Sequence, residues 1–254
     1  MNLNKSDIVC LFKNIGVRQG DTMFIHSDAL VTMDICGNNF NQKAEILIDA
    51  IIEVVGEDGT IVFPTFTYSA TKGEVFNVIE TKSEVGALSE FFRNRKNVKR
   101  SLHPVFSVAA IGSKKELFAN SIVDDCFGEK TCFDLLFKLN AWIFTMGCSF
   151  DRITFIHYLD QKLKVDHRFF KSFPAFIDTG LKRISIDLQY YVRDLNRQTT
   201  TKLDSLKNQL KKDLHLIEFQ MGRSLITGVK AIDFYNAASK QMLLKSNIHI
   251  IEGY

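Results

Sequence analysis

Residues 42–67 read QKAEILIDAIIEVVGEDGTIVFPTFT, and the change of period inside this stretch decides the fold class. Its first half places Ile46, Leu47, Ala50, Ile51 and Val54 at i, i+3 and i+4 spacings, one face of a helix over about Gln42 to Val55. Gly56 and the turn Glu57-Asp58-Gly59 close that helix. Thr60 to Phe63 then forms a short unbroken apolar run, the pattern of a strand buried on both faces. A helix delivered through a tight turn into a buried strand is the building unit of a layered α/β fold.

The same alternation extends on both sides. Upstream, Ser6 is a candidate cap for a helix carrying Ile8, Val9, Leu11, Phe12 and Ile15 and ended by Gly16, followed by a strand from Thr22 to Ile25. Downstream, the pattern gives a helix near Val85–Asn94, a strand Phe106–Ile111 and a helix Lys114–Asn120. Thr131-x-x-Asp134 resembles a capping box opening the next helix, and Trp142–Met146 is a further strand. These elements predict a central, largely parallel or mixed sheet flanked by helices. Beyond Pro174 the period loosens into a hairpin from Arg183 to Arg193, a charged helix about Thr200–Asp213, further strands and a last amphipathic helix, Lys230–Leu244. No Gly, Ser or Pro-rich linker and no internal repeat divides the chain, so 1–254 is read as one domain: a core to about 175 and a C-terminal α+β part from about 176.

Composition narrows the class. Hydrophobic residues make up 46% and charged residues 24%, the mix of an ordinary globular protein rather than a disordered one. A net charge of +3 is too small for a nucleic-acid or acidic-membrane partner, and the basic run Lys207 to Lys212 reads as a solvated helix face. The five cysteines are scattered, with no CxxC pair, which fits reduced thiols and neither a disulfide framework nor a zinc site. No apolar run has the length of a membrane span and the first residues lack a signal peptide's apolar stretch, so the expected compartment is the cytoplasm.

Four segments interrupt apolar runs with reactive side chains at strand ends, where open α/β sheets bind ligands. His26, Ser27, Asp28 and Ala29 follow the strand Thr22–Ile25; they suit either an oxyanion and its carbonyl or a simple Ser-Asp cap. Thr67 and Tyr68 follow the turn at Pro64. Lys99 and Arg100 precede Ser101, His103 and Ser107, cations suited to a phosphate-bearing cofactor, although His103 before Pro104 equally fits a turn residue with satisfied nitrogens. Asp151 or Thr154 is a candidate cap for a helix that sets His157 and Asp160 three apart on one face, either a general base with its orienting carboxylate or a structural pair.

In order and spacing, GDTMFIHSDAL (20–30), GEDGTIVFPTFT (56–67), EVGALSEFFR (84–93), VKRSLHPVFSVAAIG (98–112), FGEKTCFDLL (127–136) and ITFIHYLD (153–160) resemble the antibiotic N-acetyltransferase family, whose founding activity is aminoglycoside 3-N-acetylation. HRFFKSF (167–173) and GRSLITGVKAIDFYNAA (222–238) are fainter matches. The resemblance implies a compact α/β fold of that family, with acetyl-CoA as donor and no metal. It implies a pantetheine and phosphate path along His26, Ser27, Asp28 and Ala29 and along Arg100, Ser101, His103 and Ser107. It also implies His157 as the base that deprotonates the amine, assisted by Asp160, with Thr67, Tyr68, Asp151 and Arg168 toward the acceptor. Three positions depart from the family pattern: Asp160 stands for Glu, Asp28 for a second Ser, and His167 for Tyr.

The C-terminal part, where acceptor choice is expected, is locally basic through Lys182, Arg183, Arg193, Arg197, Lys202 and Lys207. That charge favours a small anionic acceptor, a nucleotide-linked amino sugar for surface-polysaccharide synthesis, over a polycationic aminoglycoside. Two other readings stay open: a Cys–His hydrolase built on Cys148 and His157, and a CoA- or sugar-binding protein without catalysis. Oligomeric state is left open.

Overall fold

A computed structural model of the chain describes residues 2–121, 124–197, 199–244 and 250–252. The strands in chain order are β1 (Thr22–Ser27), β2 (Thr60–Pro64), β3 (Val75–Asn77), β4 (Lys99–Arg100), β5 (Val108–Gly112), β6 (Trp142–Met146), β7 (Arg168–Asp178), β8 (Arg183–Arg193), β9 (Thr199–Thr201), β10 (Leu216–Met221), β11 (Ser224–Lys230) and β12 (Ile250–Glu252). Seven of them form one mixed sheet in the order β10-β11-β6-β1-β2-β5-β4. Its centre is parallel, β1 lying between β6 and β2, while β5, β4, β11 and β10 join antiparallel at the flanks. Three apolar strands read from the sequence, Thr22–Ile25, Thr60–Phe63 and Trp142–Met146, are the parallel middle, covered on both faces, which is why they lack a polar side; the fourth, read as Phe106–Ile111, is β5 on the antiparallel flank.

The two faces carry separate cores. Met23, Ile25, Ile61, Phe63 and Phe144 point to the side covered by α1 (Lys5–Asn14) and α2 (Phe40–Val55). Phe24, Val62 and Ile143, one residue out of phase, point to the side holding Phe133, Leu136, Phe155, Leu159 and Phe234. Burial of phenylalanine rings and aliphatic side chains on these faces is the main stabilising term, at about 1.5–3 kcal/mol for each fully buried side chain.

Several expectations are corrected. Asn4, not Ser6, caps α1: its carboxamide oxygen accepts from Asp7 N at 3.0 Å while the Asp7 carboxylate accepts from Asn4 N at 2.9 Å, a reciprocal capping box. Arg183–Arg193 is a single strand rather than a hairpin; its partner is the eleven-residue β7, which runs straight through Pro174. β3 pairs with β7 only from Phe176 to Asp178, so Pro174 lies on an open edge where its missing N–H costs no ladder bond. Thr199–Thr201 is strand, and the charged helix spans Asp204–Lys212, with Lys207 and Lys211 both paired to Glu218. Among the described residues no helix is long and apolar enough to cross a membrane.

Candidate active site

His157 sits in the first turn of the seven-residue helix Ile156–Lys162, which follows a 3-10 turn, Phe150–Arg152, capped by Ser149. Neither Asp151 nor Thr154 caps that helix. Asp151 instead accepts from Leu203 N at 2.7 Å and from Lys202 Nζ at 3.3 Å, tying the turn to the C-terminal part. One helical turn beyond His157, Asp160 is fully buried, and its Oδ2 lies 2.9 Å from His157 Nδ1. The same oxygen meets Arg168 Nε at 3.0 Å, and Arg168 Nη1 donates to Tyr191 O at 3.1 Å. Asp160 is thus long enough to hold the imidazole, and Arg168, at the first position of β7, neutralises and fixes Asp160.

The Nδ1 of His157 also lies 2.8 Å from Arg168 Nη2. A carboxylate accepts and a guanidinium donates, so the two neighbours favour opposite tautomers. With the proton on Nδ1, shared toward Asp160, the lone pair is on Nε2 and the ring is a competent base.

His157 borders two clefts. The first, of about 410 Å³, is formed where β1, β2 and β6 end, and its lining includes His26, Ser27, Asp28, Tyr68 and Cys148. His26 is buried edge-to-face against Phe24, which pushes its pKa down to about 3 and keeps the ring neutral. His26 Nε2 and Ser27 Oγ are buried without a hydrogen-bond partner, an arrangement that asks for a polar ligand group. Asp28 caps the 3-10 turn Ala29–Thr32, its Oδ1 accepting from Leu30 N at 2.8 Å, so Ala29 opens a turn while Asp28 is both cap and wall. Of the lining carboxylates, Glu84 is paired with Lys72 and Asp151 with Lys202, leaving Asp28 and Arg152 to balance each other. A near-neutral cleft with unpaired polar atoms fits an uncharged pantetheine thioester arm.

The second cleft, of about 530 Å³, lies on the β7–β8 hairpin and includes Arg168, Lys171, Phe173, Tyr190 and Arg193. Arg168 and Arg193 were named from the sequence, the latter only as part of the basic C-terminal region; Lys171, Phe173 and Tyr190 were not singled out, because 167–173 is a faint match and the hairpin was misplaced.

The segment expected to face a phosphate is turned inward. Arg100 spends its guanidinium on Thr65 O at 2.7 Å, Thr81 O at 2.6 Å, Val78 O at 3.2 Å and the Thr65 and Ser107 hydroxyls at 3.2 Å. Ser107 Oγ donates to Thr65 O and Ser101 Oγ accepts from Val108 N. His103 Nδ1 accepts from Val105 N and Phe106 N while Nε2 faces Asp125 O, the plainer turn reading of that residue. Thr67 is likewise buried, its hydroxyl donating to Pro104 O. These five residues brace strands β2, β4 and β5 and do not line either cleft. Tyr68 does line the first cleft, in the left-handed conformation with φ 55°. Cys148 also lines it, but burial, reinforced by Asp28, pushes its thiol up to about 11, which leaves little thiolate for a Cys–His nucleophile.

The sequence profile of the aminoglycoside 3-N-acetyltransferases matches residues 24–243. The aminoglycoside N(3')-acetyltransferase-like protein YokD of the SPbeta prophage in Bacillus subtilis (strain 168) is 24% identical over 197 residues, covering 68% of this chain and 71% of its own. Aminoglycoside N(3)-acetyltransferase III of Pseudomonas aeruginosa is 21% identical over 203 residues, 72% of this chain and 73% of its own. Among solved structures, AAC-IIIb in a binary complex with CoASH superposes with a TM-score of 0.81 at 15% identity, over 96% of this chain and 98% of that one. AAC-VIa bound to sisomicin superposes with a TM-score of 0.78 at 19% identity, over 97% and 98%. The profile covers most of the sequence, and the layered mixed sheet is the one these structures share. The chain belongs to the aminoglycoside 3-N-acetyltransferase family, N-acetyltransferases that draw their acyl group from acetyl-CoA.

Proposed function

We propose that this protein transfers the acetyl group of acetyl-CoA directly to a primary amine of an amino sugar, with His157 as general base. The observation that carries the reading is the position of His157 on the border of both clefts, oriented by a buried Asp160 that is itself held by Arg168. Acetyl-CoA supplies an activated carbonyl and a thiolate leaving group. His157 Nε2 receives the proton that the acceptor ammonium must lose before nitrogen bonds to the carbonyl carbon and the carbon–sulfur bond breaks. Asp160, whose charge is shared with Arg168, stabilises the imidazolium so formed. Neutral His26 and the Ser27 hydroxyl are donors for the thioester arm, which the near-neutral first cleft accommodates; the amine then approaches from the second.

The names of the relatives make an aminoglycoside the acceptor class best supported. A nucleotide-linked amino sugar is favoured by one observation, that Lys171 and Arg193 of the second cleft have no carboxylate partner among the described residues. Thiol release from acetyl-CoA, measured with sisomicin, apramycin and a set of nucleotide-linked amino sugars, tests the reading. An acetylated amine with wild-type protein and its loss in His157→Ala supports it; undiminished turnover in His157→Ala removes the base assignment.

A further inference from the structure

The β7–β8 hairpin alternates, so Phe169, Lys171 and Phe173 share a face with Val192, Tyr190 and Leu188. On that face Lys171 lies over the Phe173 ring, its Nζ 5.0 Å from the centroid. Arg193 enters the same cleft from β8, its Nη1 donating to Thr199 O. Neither Lys171 nor Arg193 has a carboxylate partner among the described residues. The third cation, Arg168, is neutralised by Asp160. The one carboxylate in the lining, Asp194, accepts from Asn196 N at 2.9 Å. Two cations without carboxylate partners among the described residues, beside the exposed Phe169 ring and the half-buried Phe173 and Tyr190 rings, form the pairing that binds a nucleotide, with charge-assisted bonds to phosphate and a ring face for the base.

We propose that the second cleft is a nucleoside diphosphate site, and that the diphosphate belongs to the amine acceptor. This rests on the N-acetyltransferase reading of His157. The first cleft is near neutral and takes the uncharged arm of the donor, whereas a polycationic acceptor in the second would meet Lys171 and Arg193 with like charge. A diphosphate held by these two side chains leaves the sugar amine of the same molecule at the His157 end of the cleft.

Calorimetric titration of UDP, dTDP and GDP into CoA-saturated protein tests this without requiring turnover. At least one is expected to bind, and Lys171→Met, which keeps the stem on Phe173, and Arg193→Gln are each expected to weaken it about tenfold. In turnover with the matching nucleotide-linked amino sugar, both variants raise the KM for that sugar and leave the KM for acetyl-CoA unchanged. Loss of nucleotide binding on saturation with CoA would assign the cations to the donor's phosphates and overturn the proposal, as would binding indifferent to both substitutions. Binding without acetylation of any amine would leave the site standing and remove the catalytic reading. Acetylation of sisomicin, abolished in His157→Ala, with no nucleotide bound would do the reverse.

Discussion

The carboxylate of Asp160 lies 2.9 Å from the His157 imidazole and has no solvent contact, so its negative charge is compensated from within the protein by Arg168. Removing one member of such a buried pair leaves the other uncompensated. Asp160→Leu is expected to destabilise the fold by about 3–5 kcal/mol, read from urea unfolding. Asp160→Asn keeps the shape; it should lower kcat far more than it changes KM, because the imidazolium loses its counter-charge. Equal activity of wild type and Asp160→Asn across pH 6–9 would show that Asp160 does not support the base.

Acid sensitivity follows from two buried imidazoles. Burial holds His26 down at about 3 and His103 down at about 4, against an ordinary 6.5. Below about pH 6.5 the unfolded chain takes up protons that the folded chain refuses, so stability falls as pH falls. The loss is about 1.4 kcal/mol per pH unit for each histidine until its folded pKa is reached. Urea midpoints at pH 7.5, 6 and 5 measure it; His26→Gln and His103→Gln should each flatten the decline.

Cys148 lines the first cleft with its thiol held protonated at neutral pH. Cys148→Ala is expected to leave kcat/KM unchanged with any amine that the wild type acetylates. A burst of acyl-enzyme in wild type that disappears in Cys148→Ala would reinstate a covalent path.

Gly228 pairs with Phe144 across β11 and β6, and a Cβ there would stand 2.4 Å from the Phe144 ring. Phe144 is fully buried and packs on Phe12 and Trp142, leaving it no room to turn aside. Gly228→Ala should therefore cost about 1–3 kcal/mol in urea unfolding with little change in KM. An unchanged midpoint would mean that β11 shifts freely against β6.

The parallel centre of the sheet was legible because its strands are uninterrupted apolar runs with glycine turns between them, and β6 was placed at Trp142–Met146 to the residue. The His157–Asp160 pair was legible from helical spacing, although spacing could not say that Arg168, eleven residues on from His157, closes the group. The segment Arg100–His103 stayed ambiguous, its two readings a phosphate path and a turn, because a cation before Ser and His carries the same letters whether it faces solvent or the interior; for Arg100 only the packing of Phe76 against the guanidinium and the ring of carbonyls around it decides. The loosened period beyond Pro174 hid the long strand β7, which runs through that proline because β3 pairs with it only from Phe176 onward.

β7 begins beside His157 and continues along the second cleft. Arg168 fixes Asp160, and the next residues of β7 on the cleft face, Phe169, Lys171 and Phe173, belong to the second cleft, on a three-stranded sheet that among the described residues shares no ladder with the main one. The residues proposed for proton transfer and those proposed for acceptor choice are therefore adjacent but separate along β7. Under the proposed assignment, exchanging residues 169, 171 and 173 together with 190, 192 and 193 is expected to change which acceptor binds while leaving the His157–Asp160–Arg168 group in place.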